Sequence, residues 1–245
     1  MSDAANLRAE SDMTNWYPRL KEVGVPTPYT VRVPVGEWTL HEGTINELTI
    51  AAPDVPDLRD AVRQVGGPRA FVRTSQASDK HSLAAASRID YVDDYHLKST
   101  VASLGSSMRT KMGVPTPEAY YVREWLGLQH QFKAFDQLPI ARELRAFIHD
   151  GDVVSSGFYW PADAIRNPTD PEWETLLAET REDTLAQSEY VEDMAAEVAD
   201  EFNDGYWSVD FARTTGGTWY CIDMARGELS WHPDACDKPD TVTDE

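Results

Sequence analysis

Residues Glu143–Trp160 have the sequence ELRAFIHDGDVVSSGFYW, which contains the strongest hairpin signal in the chain. Asp150–Gly151 is a dipeptide that favours the positive φ angles of a tight two-residue turn. Runs rich in apolar, β-branched and aromatic residues flank it on both sides. A second hairpin is predicted further on, with strands around Trp207–Ala212 and Trp219–Met224 and a turn at Gly216–Gly217. Antiparallel strands are therefore expected to dominate the second half of the chain.

Two other features predict where helices and strands alternate. The pentapeptide GVPTP occurs at Gly24–Pro28 and at Gly113–Pro117, each time after a helical pattern and before an extended one. Glycine favours the left-handed conformation that ends a helix, and proline prevents the helix from continuing. Val55–Val65 has apolar residues at helical spacing, and a later helical block is predicted to have Asp170 as its cap and Pro171 at its first position. The apolar stripe of that block comprises Val191, Met194, Ala195, Val198 and Phe202. This mixture of elements predicts an α+β protein in two lobes.

Charge is the most unusual feature of the composition. The 245 residues include 42 acidic and 22 basic ones, for a net charge of −20, and only six of the basic residues are lysines. An acid-rich, lysine-poor surface resembles that of proteins from haloarchaea or their viruses, which stay hydrated in concentrated salt. Attraction to a basic partner is the competing interpretation, whereas nucleic-acid binding is disfavoured because the surface repels phosphates. The sequence contains no apolar run of about 18 residues, so no membrane span is predicted. The polar N-terminus and the two cysteines favour the cytoplasm.

Charged residues inside predicted strands are the candidate functional residues, because a buried charge is costly unless it binds something. Arg73 ends the apolar strand AFVR, where it could contact a ligand or pair with a surface acid. Glu143 and Arg145 alternate on one face of ELRAF, where they could bind a ligand or form a salt bridge. Asp210 and Asp223 lie on consecutive antiparallel strands. These two carboxylates repel each other without a cation, and they could converge on one Mg²⁺.

The order of these pieces resembles the ATP-grasp superfamily. In that superfamily an entry segment comes first, which corresponds to GVPTPYT, and then a nucleotide-binding strand with a phosphate-covering loop, which corresponds to GPRAFVRTSQASDKHS. The adenine hinge corresponds to YYVREWLGL and the charged strand to ELRAFIHDGDVV. The two metal-binding strands come last and correspond to WSVDFA and YCIDMA. The resemblance runs from about Trp16 to Pro233. It implies a two-lobed α+β fold with mixed and antiparallel sheets and with the nucleotide between the lobes. The lobes are expected at 1–122 and 123–236, followed by an acidic tail at 237–245.

Two departures from the general pattern refine this resemblance. Arg73 occupies the position where most members have lysine, and Lys80 follows in the loop, as in the Arg-to-Lys clade found in viruses and bacteria. The ELR motif is also similar to the EFR motif of the eukaryotic cell-division-cycle factor that assembles a translation initiation complex. The last strand usually ends in Glu-x-Asn, whereas this chain has Asp223 followed two residues later by Ala225. Glu228 is the candidate to replace the missing asparagine ligand.

The resemblance implies an ATP-dependent ligase that joins a carboxylate to an amine, from small-molecule or peptide substrates, through an acyl phosphate. Glu143 and Arg145 are the candidate catalytic residues. The candidate residues for ATP are Arg73, Lys80, Arg123, Glu124, Trp125 and Leu126, of which the last four would form the adenine hinge. The candidate ligands for Mg²⁺ are Asp210, Asp223 and Glu228.

The alternative comes from a different class, an ATP-binding assembly factor that recognises a protein partner without ligase turnover. The missing asparagine and the likeness of ELR to EFR favour it. A nucleic-acid ligase working through adenylyl-lysine is disfavoured, because neither Lys-x-Asp-Gly nor Lys-x-Glu-Gly occurs in the sequence.

Overall fold

The computed structural model of the chain describes residues 3–35, 55–76, 88–90, 93–112, 118–135, 137–233, 236 and 239. The helices are α1 (Asp3–Glu10), α2 (Met13–Val23), α3 (Val55–Gln64), α4 (Asp94–Met112), α5 (Trp173–Leu185) and α6 (Ser188–Glu201). The strands are β1 (Thr30–Pro34), β2 (Arg69–Thr74), β3 (Arg88–Asp90), β4 (Ala119–Glu124), β5 (His130–Ala134), β6 (Leu138–Ala141), β7 (Glu143–His149), β8 (Asp152–Phe158), β9 (Tyr206–Arg213) and β10 (Trp219–Arg226). The predicted mixture of helices and antiparallel strands is confirmed.

The chain divides into two compact units. Unit 1 comprises Met1–Thr27, Leu126–Ala134 and Pro139–Glu245, and unit 2 comprises Pro28–Trp125 and Phe135–Leu138. The first 27 residues therefore cluster with the second half of the chain. The lobe boundaries expected from the sequence stay a prediction.

Unit 2 is built on an antiparallel sheet with the strand order β1-β4-β2-β3. Successive residues of a strand point to opposite faces, so that each strand contributes alternate residues to the core. One face packs on α3 and α4. The buried cluster there comprises Val33, Leu58, Ala61, Val62, Val65, Ala70, Val72, Ile89, Leu97, Val101, Leu104, Tyr120 and Val122. Arg73 and Arg123 occupy alternate positions on β2 and β4 and therefore belong to the other face.

Unit 1 is built on a second antiparallel sheet, with the strand order β10-β9-β7-β8. Both predicted hairpins are present, and the turn between β7 and β8 has positive φ at Asp150 (49°) and Gly151 (92°). The predicted stripe of α6 is buried over its whole length, from Val191 to Phe202. Phe202 contacts the ring of Trp207 with 5.3 Å between ring centroids. The helix α6 thus covers one face of this sheet.

Several local predictions have clear outcomes. α2 ends at Val23, and the next residue, Gly24, has a φ of 93° and is the predicted left-handed cap. The predicted start of the later helical block is wrong, because α5 begins at Trp173 rather than at Pro171. Asp170 instead accepts a hydrogen bond from the backbone N of Glu172, at 2.8 Å, in the turn before the helix. The second GVPTP copy, the loop 78–87 and most of the acidic tail lie outside the described residues.

None of the helices in the described part of the chain combines the length and the apolar character that crossing a membrane requires.

Candidate functional site

The predicted charged residues of unit 1 form a row across three neighbouring strands. Arg145 of β7 is the register partner of Asp210 of β9, and Asp210 is in turn the partner of Asp223 of β10. A β-bulge between Cys221 and Asp223 sets this last pairing. Directly paired residues of antiparallel strands project to the same face. The structure therefore brings three of the predicted site residues together.

Each of the three guanidinium nitrogens of Arg145 donates a hydrogen bond within unit 1. Its Nε and Nη2 donate to the two carboxylate oxygens of Asp210, at 2.7 and 2.9 Å. Its Nη1 donates to the backbone oxygen of Trp231, at 2.9 Å. The guanidinium carbon lies 4.8 Å from the ring centroid of Tyr159, a cation–π distance. A planar group with fixed donors makes this bidentate contact, which lysine cannot reproduce.

The Arg145–Asp210 pair is buried, with the side chain of Arg145 exposed by 11% and that of Asp210 by 6%. Burial disfavours the charged form of Arg145, but the charge and hydrogen bonds of Asp210, with a contribution from Asp223, outweigh burial and raise its pKa above the ordinary value. The guanidinium thus stays charged. Asp210 lies between Arg145 and Asp223 in the row, so the chain itself places a cation beside Asp210, on the side away from Asp223.

The other acidic candidates of unit 1 differ in their surroundings. Glu143 is buried and precedes Arg145 by two residues on the same face of β7. Both oxygens of Glu228 accept hydrogen bonds from Arg226, at 2.9 and 3.3 Å. The Cζ of Arg226 in turn lies 5.1 Å from the ring centroid of Trp207, which faces the opposite side of β9 from Asp210.

The row offers two carboxylates for a metal ion. Within the described residues, no group of three or more His, Cys, Asp or Glu side chains has a geometry that could hold a metal. Two carboxylates nevertheless fit Mg²⁺, which is commonly held by one or two carboxylates together with substrate phosphates and water. The donor set of Asp210 and Asp223 therefore suits a metal that arrives with a nucleotide. Glu228 as a third ligand stays a prediction.

Two arginines lie on the sheet face of unit 2 that is opposite its core. Arg73 pairs in register with Tyr121, and Phe71 pairs with Arg123, so that the two arginines are diagonal neighbours. Both are buried. Arg73 Nε donates to the backbone oxygen of Thr74, at 3.2 Å. Two guanidinium groups therefore lie on one face of the sheet, and guanidinium is a group that binds phosphate through parallel donors.

The remaining candidates for the adenine hinge follow at the end of β4. Glu124 is bound to Tyr29 twice, since its backbone N donates to the Tyr29 oxygen and its Oε1 accepts from the Tyr29 nitrogen, both at 2.8 Å. The Cζ of Arg69 lies 5.7 Å from the ring centroid of Trp125. Leu126 begins the next segment of unit 1, and Lys80 lies outside the described residues. The roles of these residues toward a nucleotide stay predictions.

Sequence reasoning missed the segment that follows the last strand, Ser230–Pro233. This segment lies on the same face of the unit 1 sheet as the row: His232 stacks on Phe147 with 4.3 Å between ring centroids, and its Nε2 lies 2.7 Å from the hydroxyl of Tyr206. Tyr206 and Phe147 could have been assigned to this face, because they lie at even spacing from Asp210 and Arg145. The return of the chain over them has no signal in the sequence.

Comparison with known proteins supports the fold. A search of the curated proteins finds no significant match. Among solved structures, C-terminally truncated Cdc123 from Schizosaccharomyces pombe matches with a TM-score of 0.56 and 12% identity over 90% of this chain and 85% of that one. A second structure of Cdc123 from the same organism matches with a TM-score of 0.54 and 11% identity, over 90% of this chain and 85% of that one.

An ADP complex of N5-carboxyaminoimidazole ribonucleotide synthetase matches with a TM-score of 0.50 and 11% identity, over 95% of this chain and 49% of that one, about half its length. At such identities the likeness concerns the fold alone. The model of family 3 of the Arg-to-Lys clade of ATP-grasp domains matches residues 64–245. The predicted ATP-grasp fold is thereby confirmed, and the chain belongs to the Arg-to-Lys clade of the ATP-grasp family.

Proposed function

We propose that the protein is an ATP- and Mg²⁺-dependent ligase that joins a carboxylate to an amine. In the first step an oxygen of the substrate carboxylate attacks the γ-phosphorus of ATP, and ADP leaves. In the second step the amine attacks the carbonyl carbon of the acyl phosphate, inorganic phosphate leaves, and the amine loses a proton. No nucleophile from the protein is needed, so its contribution is binding, orientation and charge.

The observation that carries the proposal is the row of Arg145, Asp210 and Asp223 on one face of the sheet in a chain of the ATP-grasp family. Together with Glu143, the row has three carboxylates against one guanidinium, which leaves two negative charges for a divalent cation to neutralise. Bound Mg²⁺ would neutralise developing charge on the phosphates. Asp210 and Asp223 would hold this ion.

The chain's basic residues would serve the phosphate oxygens. Arg73 and Arg123 share one face of unit 2, and guanidinium groups match phosphate geometry through two parallel donors. Lys80 would add a point charge from the loop. In unit 1, Arg145 would bind the phosphate when its guanidinium leaves Asp210. Glu143, two residues before Arg145 on the same face of β7, would then be the carboxylate of that strand nearest to Arg145 and would orient its guanidinium.

Two experiments in molar salt test the proposal before any substrate has been identified. First, Mg²⁺–ATP at millimolar concentration should raise the melting temperature, because a ligand that binds only the native state stabilises it. Second, carboxylate libraries labelled with ¹⁸O should be incubated with protein, Mg²⁺–ATP and hydroxylamine. An acyl phosphate would yield a hydroxamate and would leave one ¹⁸O atom in the released phosphate. The absence of a thermal shift would refute the nucleotide site itself.

The second candidate function is an ATP-binding assembly factor for a protein partner. The observation that favours it is Ala225, which stands two residues after Asp223 where the family's asparagine ligand is expected, while Glu228 is held by Arg226. A site with two carboxylates can bind Mg²⁺–ATP yet turn it over poorly. A thermal shift with no hydroxamate from any carboxylate, together with a stable protein partner, would support this function over the ligase.

A further inference from the structure

The face of the unit 1 sheet that bears the charged row has a second, aromatic half, which the segment Ser230–Pro233 covers. Phe147 and Tyr206 form this half, with 5.5 Å between ring centroids. The segment is held by the ring and the Nε2 of His232, and by Ser230, whose hydroxyl lies 2.6 Å from that of Ser208. The segment is thus docked side by side with the row.

Close packing also fixes the far end of the segment. A Cβ added at Gly157 of β8 would lie 2.8 Å from Cβ of Pro233 and 3.1 Å from Sγ of Cys236. A contact of 2.8 Å is closer than real Cβ atoms make, so an alanine at this position would force the segment to shift. Gly157 is the register partner of Arg145. The packing of the segment is therefore set immediately beside the row.

Arg145 is the residue that joins the two halves of the face. Its Nε and Nη2 hold Asp210, and its Nη1 holds the backbone oxygen of Trp231 inside the segment. All three contacts depend on one position of the guanidinium. Because the three nitrogens belong to one rigid planar group, a movement of the guanidinium away from Asp210 also displaces Nη1 from the backbone oxygen of Trp231.

We propose that Arg145 couples nucleotide binding to the release of Ser230–Pro233. This inference rests on the proposed nucleotide site. Asp210 cannot serve Mg²⁺ fully while both of its oxygens accept bonds from Arg145, and a divalent cation at Asp210 repels the guanidinium. The phosphates of ATP offer the guanidinium a more favourable anion. Arg145 then exchanges Asp210 for phosphate, and its contact with Trp231 is lost. The segment leaves the rings of Phe147 and Tyr206, so that a second substrate can reach these rings.

Hydrogen–deuterium exchange measured by mass spectrometry tests this coupling. The reporters are the amides of Ser230 and Cys236, which donate to the oxygens of Gly227 and Pro233 at 3.1 and 2.8 Å. Addition of Mg²⁺ and a non-hydrolysable ATP analogue should speed their exchange by about tenfold or more, as expected for local opening. Ligands ordinarily slow exchange near their sites, so the expected change has the opposite sign.

Three variants sharpen the test. In Arg145→Lys the charge remains but the triple contact is lost, so exchange should be fast without nucleotide and should respond little to it. In Gly157→Ala the segment is displaced while Arg145 and Asp210 remain, so exchange should be fast and the thermal shift by the nucleotide should persist. In Arg19→Lys, an arginine that pairs with Glu201 elsewhere in unit 1, exchange should match the wild type.

The outcomes separate the two proposals. A thermal shift in the wild type with unchanged or slower exchange of the segment would overturn the coupling and leave the nucleotide site standing. A thermal shift with faster exchange would support both. No thermal shift would overturn both. If Arg145→Lys does not fold, the wild type and Gly157→Ala still decide. Exchange of the segment in the wild type that is equally fast with and without nucleotide would also contradict the coupling.

Discussion

Replacement of Asp210 by asparagine should destabilise the nucleotide-free protein strongly. Removing one partner of a buried ion pair costs about 3–5 kcal/mol, because the other charge stays buried. The asparagine oxygen can still accept one of the two hydrogen bonds from Arg145, so we expect the lower end, about 3 kcal/mol. A change of about 1 kcal/mol shifts the melting temperature of a chain of this size by about 2–4 °C, which gives a decrease of about 6–12 °C.

Asp223→Asn is the matched control. The Oδ1 of Asp223 accepts a hydrogen bond from the backbone N of Met224, at 3.0 Å, and asparagine keeps this oxygen. The bidentate partner of Arg145 is Asp210 and not Asp223, so the expected loss is below about 1 kcal/mol, in the range of partly screened pairs. Both variants should lose most of the thermal shift by Mg²⁺–ATP.

Urea unfolding of both variants without nucleotide, in molar salt, measures these free energies directly. The double variant Arg145→Met, Asp210→Leu should recover most of the stability lost in Asp210→Asn, because an apolar pair leaves no unpaired buried charge. Equal stability of Asp210→Asn and wild type would refute the reasoning, since it would mean that the Arg145–Asp210 pair contributes nothing. A loss as large in Asp223→Asn would place the main partner of Arg145 on β10 instead.

Four further predictions test other parts of the molecule. Arg73→Ala should weaken Mg²⁺–ATP binding by about 1.5–3 kcal/mol, or roughly 10- to 150-fold in Kd by calorimetry, with an unchanged circular dichroism spectrum. Glu228→Gln should leave the thermal shift by nucleotide intact, since Arg226 holds that carboxylate; a lost shift would make Glu228 a ligand. Burial raises the pKa of Tyr206 above its ordinary value, so the unfolded chain loses this proton at a lower pH than the folded protein does. The free energy of unfolding should therefore fall above about pH 10. Urea unfolding at about pH 9 and pH 11 should show a smaller fall in Tyr206→Phe than in the wild type. The melting temperature should rise from about 0.1 M to about 2 M NaCl, because salt screens the repulsion of a net charge of −20.

Much of the fold was predictable because its signals are local. The Asp150–Gly151 turn has the positive φ angles that its residue types favour, and Gly24 ends α2 in the predicted conformation. The row was predictable in part for the same reason. Even spacing along β7 and the tight hairpin of β9 and β10 place Arg145, Asp210 and Asp223 on strands whose faces can be assigned from the sequence.

The specific partners in the site could not be predicted, because they depend on register between distant strands. Arg145 and Asp210 are separated by 65 positions, and a shift of one residue would have moved either side chain to the other face. The β-bulge before Asp223 adds a further irregularity. The helix start at Trp173 was missed for a smaller reason: Asp170 and Pro171 suit a turn as well as a helix cap, and the turn formed here.

Two arginines of the unit 1 sheet show why contacts alone do not identify a ligand site. Arg226 resembles Arg145, since it stacks on an aromatic ring and pairs with carboxylates, those of Glu10 and Glu228. Arg226, however, connects α1 to β10 and so links elements that both belong to the fold. Arg145 connects neighbouring strands that are already joined by backbone hydrogen bonds. An apolar pair of similar volume would stabilise these strands about as well, although the loss of one partner alone is costly. An ion pair that an apolar pair could replace without loss of stability, and that holds a carboxylate beside Asp223, is better explained by exchange with a ligand than by folding.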